Sequence, residues 1–110
     1  MATKTYKVLG QAMPTASNLV TLYSPTNAAQ AVCSTLSICN QDVGSTKISV
    51  AVIPSGQTLT SANYIMKDFP FDGSDSDFVV IGLTLSPGDA VKVLSNNGAV
   101  SFSLFGEEIA

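Results

Sequence analysis

The chain has 110 residues, 12% of them charged, with a net charge of −3 and a pI near 4.4. This length bounds a single domain with a two-layer core. Five scattered Lys and no Arg exclude the concentrated positive charge of a nucleic-acid groove, and no apolar run reaches the roughly 20 residues of a membrane-crossing helix.

The charged fraction is about half the roughly 25% usual for a soluble domain. Ser and Thr, 24 residues together, fill water-facing positions where Lys and Glu would ordinarily stand. Such a surface is suited to being covered by neighbouring molecules. Met1 to Lys7 lacks an apolar signal core, so export by the usual leader is not expected.

Strand signals recur along the chain, bounded by turn residues. Thr5 to Gln11 reads as a strand or extended arm, closed by Met13-Pro14-Thr15. Leu19 to Tyr23 is a short strand that Pro25 ends, since proline breaks a central ladder. A short helix fits only around Thr26 to Val32. Ala31 to Asn40 is longer, with Val32, Leu36 and Ile38 on one face and Cys33, Thr35, Ser37 and Cys39 on the other. Thr46 to Ile53 alternates cleanly: Ile48, Val50 and Val52 inward, Lys47, Ser49 and Ala51 outward.

Ser61 to Phe69 is less regular, with Pro70 closing it, and Asp72 to Asp77 is a polar loop. Phe78 to Leu85 aligns Val79, Ile81, Leu83 and Leu85, with Gly82 opposite them marking a bulge or a close backbone. Ser86-Pro87-Gly88-Asp89 fits a turn whose third residue takes positive φ. After Val91 and Val93, Asn96-Asn97-Gly98 reads as a tight hairpin, from which Val100, Phe102 and Leu104 return on one face. About eight short strands separated by turns predict an all-β fold, an antiparallel β-sandwich with jelly-roll character. Residues 1–17 read as an N-terminal arm or edge strand, and 18–110 as the sandwich.

Chemistry is sparse. With no His, no Ser has its usual base, no zinc set is complete, and no phosphate-cradling glycine loop is present. The run Asp72 to Asp77 holds three carboxylates, but it lacks the distal bidentate Glu of a calcium loop and reads as a solvated turn between strands. Glu107 and Glu108 are adjacent, so on a strand they point to opposite sides and cannot flank one bond. Cys33 and Cys39 are six apart. Even spacing places them on one face, about 20 Å apart, beyond disulfide reach. A glycan-binding face would have to draw on Tyr6, Tyr23, Tyr64 and five Phe, since Trp is absent. No catalytic, cofactor-binding or metal-binding residue is assigned.

Several segments, in order and over nearly the whole chain, carry a resemblance. They are Lys7-Val-Leu-Gly-Gln-Ala-Met-Pro-Thr-Ala16, Leu22-Tyr23-Ser24-Pro25, Val32-Cys-Ser-Thr-Leu-Ser-Ile-Cys-Asn40 and Ile48-Ser-Val-Ala-Val-Ile-Pro-Ser-Gly56. Tyr64-Ile-Met-Lys-Asp68, Leu83-Thr-Leu-Ser-Pro-Gly-Asp89 and Val100-Ser-Phe-Ser-Leu-Phe-Gly-Glu-Glu-Ile109 complete the set. Together they resemble small virion structural proteins of tailed bacteriophages. The chain departs from that pattern at Met66-Lys67, where aromatic residues are usual, and in having no Arg.

The resemblance implies a non-enzymatic β-sandwich in a virion assembled in the host cytoplasm. It implies a capsid decoration (cement) protein that contacts the major capsid protein and further copies of itself, as a homotrimer. The alternatives are a tail, baseplate or fibre-attachment component contacting tail proteins, and a carbohydrate-binding adhesin module with a surface glycan as partner. No cofactor, nucleic acid or membrane is implied. Net negative charge suits the outside of a shell, away from packaged DNA.

Overall fold

A computed structural model describes residues 3–26 and 30–109. Among the described residues there are eight strands: β1 (Lys4–Ala12), β2 (Val20–Tyr23), β3 (Gln30–Asn40), β4 (Thr46–Ile53), β5 (Tyr64–Phe71), β6 (Ser76–Leu85), β7 (Ala90–Ser95) and β8 (Val100–Ile109). A single 3-10 turn, Ser61–Asn63, precedes β5. Of the helix window at Thr26 to Val32, residues 30–32 are strand and 27–29 lie outside the described residues.

The strands form two antiparallel four-stranded sheets, ordered β1-β8-β3-β6 and β2-β7-β4-β5. This is the jelly-roll order: successive strands mostly leave one sheet and enter the other. The only consecutive strands that pair are β4 and β5. Asn96-Asn97-Gly98 is therefore no hairpin. It carries the chain from β7 in the second sheet to β8 in the first, with Gly98 at φ +70°. Ser86 to Asp89 makes the opposite crossing. There Gly88 takes φ +89° and the Asp89 amide donates to the Ser86 carbonyl at 3.1 Å, as the turn signal required.

The core lies between the sheets. Leu36, Ile38, Phe102 and Leu104 of the first sheet meet Ile48, Val50, Val91 and Val93 of the second, all fully buried. Close approach of the layers has a backbone cost at Gly10. A methyl group there would collide with the carbonyl oxygen of Leu22, so β1 can pass β2 only without a side chain.

Bulges reset the inward face and correct the reading of β3. Ser34 is an extra residue of β3 relative to β8, so the inward set switches from Ala31 and Cys33 to Leu36, Ile38 and Asn40. Val32 points outward instead of inward. Cys33 is buried in the core while Cys39 faces out, so the two thiols are on opposite faces. On β6, Ile81 and Gly82 together oppose Ser34, and Gly82 takes φ +27°, which makes it the bulge its position suggested.

Pro70 does not end β5. It pairs with Lys47 inside the strand, which an edge strand permits because one row of amides needs no partner. Ser49 and Ala51 point outward yet are buried. The Asp68 amide, on a second bulge of β5, donates to Ser49 Oγ at 3.0 Å, and the long side chains of Tyr64 and Lys92 flank Ala51.

Candidate assembly face

The register of the first sheet places its outward residues in rows. Tyr6, Glu107, Val32 and Thr84 form one row; Val8, Phe105, Thr35 and Val80 the next; Gln11, Ser103, Ser37 and Phe78 a third. Four large apolar side chains here stand in solvent: Tyr6 (79% exposed), Val8 (47%), Phe78 (66%) and Val80 (84%). Val32 and Phe105 are half-buried between them. Among the described residues the face has two charged side chains, Lys4 at one end and Glu107. Most of the rest are Ser, Thr and Gln, some already tied to each other, as Gln11 Nε2 is to Ser103 Oγ at 3.2 Å.

Four strands about 4.8 Å apart and some nine residues long give this face roughly 600 Å² in projection. That approaches the about 800 Å² each partner contributes to a standard interface. The open apolar side chains form two pairs on the opposite edge strands β1 and β6, linked across an almost charge-free face by the half-buried Val32 and Phe105, which suits a contact surface.

Glu107 adds a polar signal to it. Its Oε2 atom is buried with no hydrogen-bond partner, beside Tyr6, Val32, Ser34 and Gly106 around a hollow of about 160 Å³. A buried carboxylate oxygen without a donor is costly, so a donor brought by a docking molecule would be favoured there.

The outer face of the second sheet differs. It carries Lys47, Lys67 and Lys92, and Lys67 Nζ lies 4.4 Å from the centre of the Tyr64 ring. The sandwich is thus two-sided, with one apolar, nearly neutral face and one basic face.

Between the layers at the β1–β8 end, Glu108 accepts from Lys7 Nζ at 3.1 Å and from the Tyr23 hydroxyl. Glu107 and Glu108 therefore point to opposite sides, as adjacent strand residues must. The Tyr23 hydrogen bond, followed by that from Lys7, holds the Glu108 carboxyl below the usual range. Burial, and then the Glu108 carboxylate, push the Tyr23 phenol up, so it stays a donor. Burial pushes the Cys33 thiol up to about 11, which makes it inert at neutral pH. Tyr23 is a core residue, so it offers no ring for stacking a sugar. Tyr64 is half-covered and Tyr6 alone of the three tyrosines is open.

At the other end Asn40, 1% exposed, ties three connections together. Its Nδ2 donates to the carbonyls of Gly44 and Asp72, both at 3.0 Å. Its Oδ1 accepts from the Asp42 amide at 3.1 Å and from Asn97 Nδ2 at 3.2 Å. The sequence offered only a weak sign of this role, an Asn where a strand meets a turn. Among the described residues no group of three or more His, Cys, Asp or Glu is placed to hold a metal ion, the Asp72 to Asp77 run included. Asp75 and Asp77 instead accept from the amides of Ser76 and Phe78, as turn-forming carboxylates do.

The sequence matches no protein-family model and no curated protein. Solved structures share the fold. A chain in the structure of infectious bursal disease virus, Gx strain, superposes with a TM-score of 0.59 over 99% of this chain at 10% identity. A chain of the Gt strain does so with 0.54 over 98% at 11%. This chain spans 32% of the length of each, so its sandwich corresponds to about a third of those viral chains. A chain of the acidic stable capsid structure of Helicobacter pylori bacteriophage KHP30 is 16% identical, with a TM-score of 0.48 over 100% of this chain and 94% of that one. At 10% and 11% identity, the likeness to the bursal disease virus chains is one of fold.

Proposed function

We propose that the chain is a non-enzymatic structural protein of a virion, seated on a shell through the outer face of its first sheet as a capsid decoration protein. The observation that carries this reading is the exposure of Tyr6, Val8, Phe78 and Val80 on a sheet face with almost no charge. Burying such side chains is worth about 1.5–3 kcal/mol each before the costs of association. A shell offers the same contact many times over, so each copy needs only modest affinity. The fold shared with chains of a virus structure supports the placement. The remaining partners are further copies of the same chain, in a homotrimer according to the resemblance, and the major capsid protein beneath it. The lysine-bearing face of the second sheet is then turned outward.

Cosedimentation of the purified protein with undecorated shells tests the proposal. Val8→Lys places a charge in the middle of the face, on an exposed side chain that the fold does not need. Docking is expected to fall at least tenfold, the equivalent of about 1.4 kcal/mol, while Lys92→Ala on the other face leaves it unchanged. Equal binding by all three proteins overturns the assignment. Copy number separates shell from tail: hundreds per particle for decoration, dozens or fewer for a tail, baseplate or fibre-attachment component.

A further inference from the structure

The surroundings of Glu107 are one-sided in their chemistry. The hollow of about 160 Å³ beside it is lined by Tyr6, Val32, Ser34 and Gly106. Glu107 Oε2 is buried there with no donor among the described residues. Ser34 Oγ donates its one proton to the Phe105 carbonyl at 3.3 Å, which leaves it lone pairs to offer. Tyr6, 79% exposed, brings an aromatic ring with its negative face. Apart from the Tyr6 hydroxyl, which can both give and accept, the side chains around the hollow supply acceptors and no donor. The neighbouring lysines do not answer them. Lys7 is paired with Glu108 on the other side of the sheet, and Lys4, on the same face as Tyr6, makes no ion pair with Glu107.

In the free protein water reaches the rest of this carboxylate. Covering the face removes that water, and a carboxylate left without a donor is then costly. A purely apolar partner would leave Glu107 in that condition.

We infer that the hollow receives an arginine side chain of the docking partner, its guanidinium donating to the Glu107 carboxylate and to Ser34 Oγ and its plane lying against the Tyr6 ring. The inference rests on docking through this face and names the partner's share of the contact. Charge complementarity selects a cation, since Glu107 is the one acid of the face among the described residues. The shape of the acceptor set selects arginine over lysine. A planar fork of donors serves two separate acceptors at once, stacks on an aromatic ring and gives up its water more readily than an ammonium. The last torsion of a Glu side chain is broad and roughly twofold, so either carboxylate oxygen can be presented. This chain has no Arg. The guanidinium therefore comes from a different protein, and this contact is not one between copies.

A titration and a docking assay test the inference together. N-acetyl-arginine amide, N-acetyl-lysine amide and N-acetyl-citrulline amide are added to the isotope-labelled protein while its amide chemical shifts are followed. Citrulline keeps the shape of arginine without the charge. Arginine is expected to give saturating shifts at Tyr6, Val32, Ser34 and Glu107, lysine weaker ones and citrulline none, with Glu107→Gln abolishing the arginine response. The absence of any arginine response in the wild type overturns the inference. So does a citrulline or lysine response as strong as that of arginine, or an arginine response that survives Glu107→Gln. In cosedimentation with shells, Glu107→Gln is expected to weaken docking about tenfold. Its urea midpoint should not fall, because the change removes a charge that the fold leaves unpaired; a lowered midpoint assigns Glu107 to the fold and overturns the inference. Docking lost in Val8→Lys but unchanged in Glu107→Gln overturns the arginine socket and leaves the docking face standing. A wild type that takes arginine yet binds no shell overturns the docking reading and leaves the socket.

Discussion

Replacing Asn40 by Ala should release three connections at once. The side chain makes four hydrogen bonds, two given to carbonyls and two received. A net contribution near 1 kcal/mol is usual for each. Gly44, Asp42 and Asp72 are exposed, so water can replace part of what their backbone groups lose. The expected loss is therefore about 3 kcal/mol, a large share of the 5–15 kcal/mol of a typical domain, and a fall in Tm of about 10–15 °C. Asn40→Asp sharpens the test. It sets a carboxylate oxygen against the carbonyls of Gly44 and Asp72, where only a donor fits. Its folded-state pKa must rise above the unfolded value of about 3.9. The variant should regain stability relative to wild type as pH falls toward that range, because the protonated acid can donate to one carbonyl. Urea unfolding followed by circular dichroism from pH 7 to 4 measures both. An Asn40→Ala loss below about 0.5 kcal/mol, or an Asn40→Asp deficit that ignores pH, would refute the reasoning.

Other outcomes follow from the same geometry. Glu108 ionises more readily folded than unfolded, so its stabilising effect is complete above the unfolded pKa of about 4.3 and is lost as pH falls through the lower folded value. Glu108→Gln should therefore flatten the acid limb of a stability–pH curve, and an unchanged limb contradicts the assignment. Native protein should react with a thiol reagent at one site, Cys39, and unfolded protein at two, since Cys33 is buried with its thiol pushed up to about 11; two fast native thiols would show that the Ser34 bulge is absent. Gly10→Ala should cost about 1–3 kcal/mol because its methyl meets the Leu22 carbonyl, whereas Gly44→Ala, with open space around it, should cost far less; equal unfolding midpoints would contradict this packing.

Much of the fold was legible because local patterns decide it. Thr46 to Ile53 has the bounds of β4, with Ile48 and Val50 in the core, and Val100, Phe102 and Leu104 face the core as their spacing indicates. What failed was set by distant partners. A turn at Asn96-Asn97-Gly98 shows that the chain changes direction, but the sheet it enters depends on β8 finding β1 and β3. The parity of β3 is reset at Ser34 by its neighbours, and no residue there announces a bulge. Pro70 signals a strand end by its chemistry alone, and its tolerance inside β5 depends on that strand being an edge.

The candidate face was hidden for a related reason. Spacing aligns Val79, Ile81, Leu83 and Leu85 on the core side and so leaves Phe78 and Val80 on the other, but apolar residues at four successive positions do not show that this other face is open to solvent. The low charge pointed to a covered surface without saying which one. Glu107 was legible only as half of an acidic pair at the chain end.

The most direct test of the account is the position of the chain in an intact particle, seen in a cryo-EM map. The account predicts many copies on the outside of a shell, each with Tyr6, Val8 and Phe105 against the protein beneath and Lys47, Lys67 and Lys92 toward solvent. A map with the lysine face buried and the Tyr6–Val8 face open to water, or with the chain lining the interior, would contradict it.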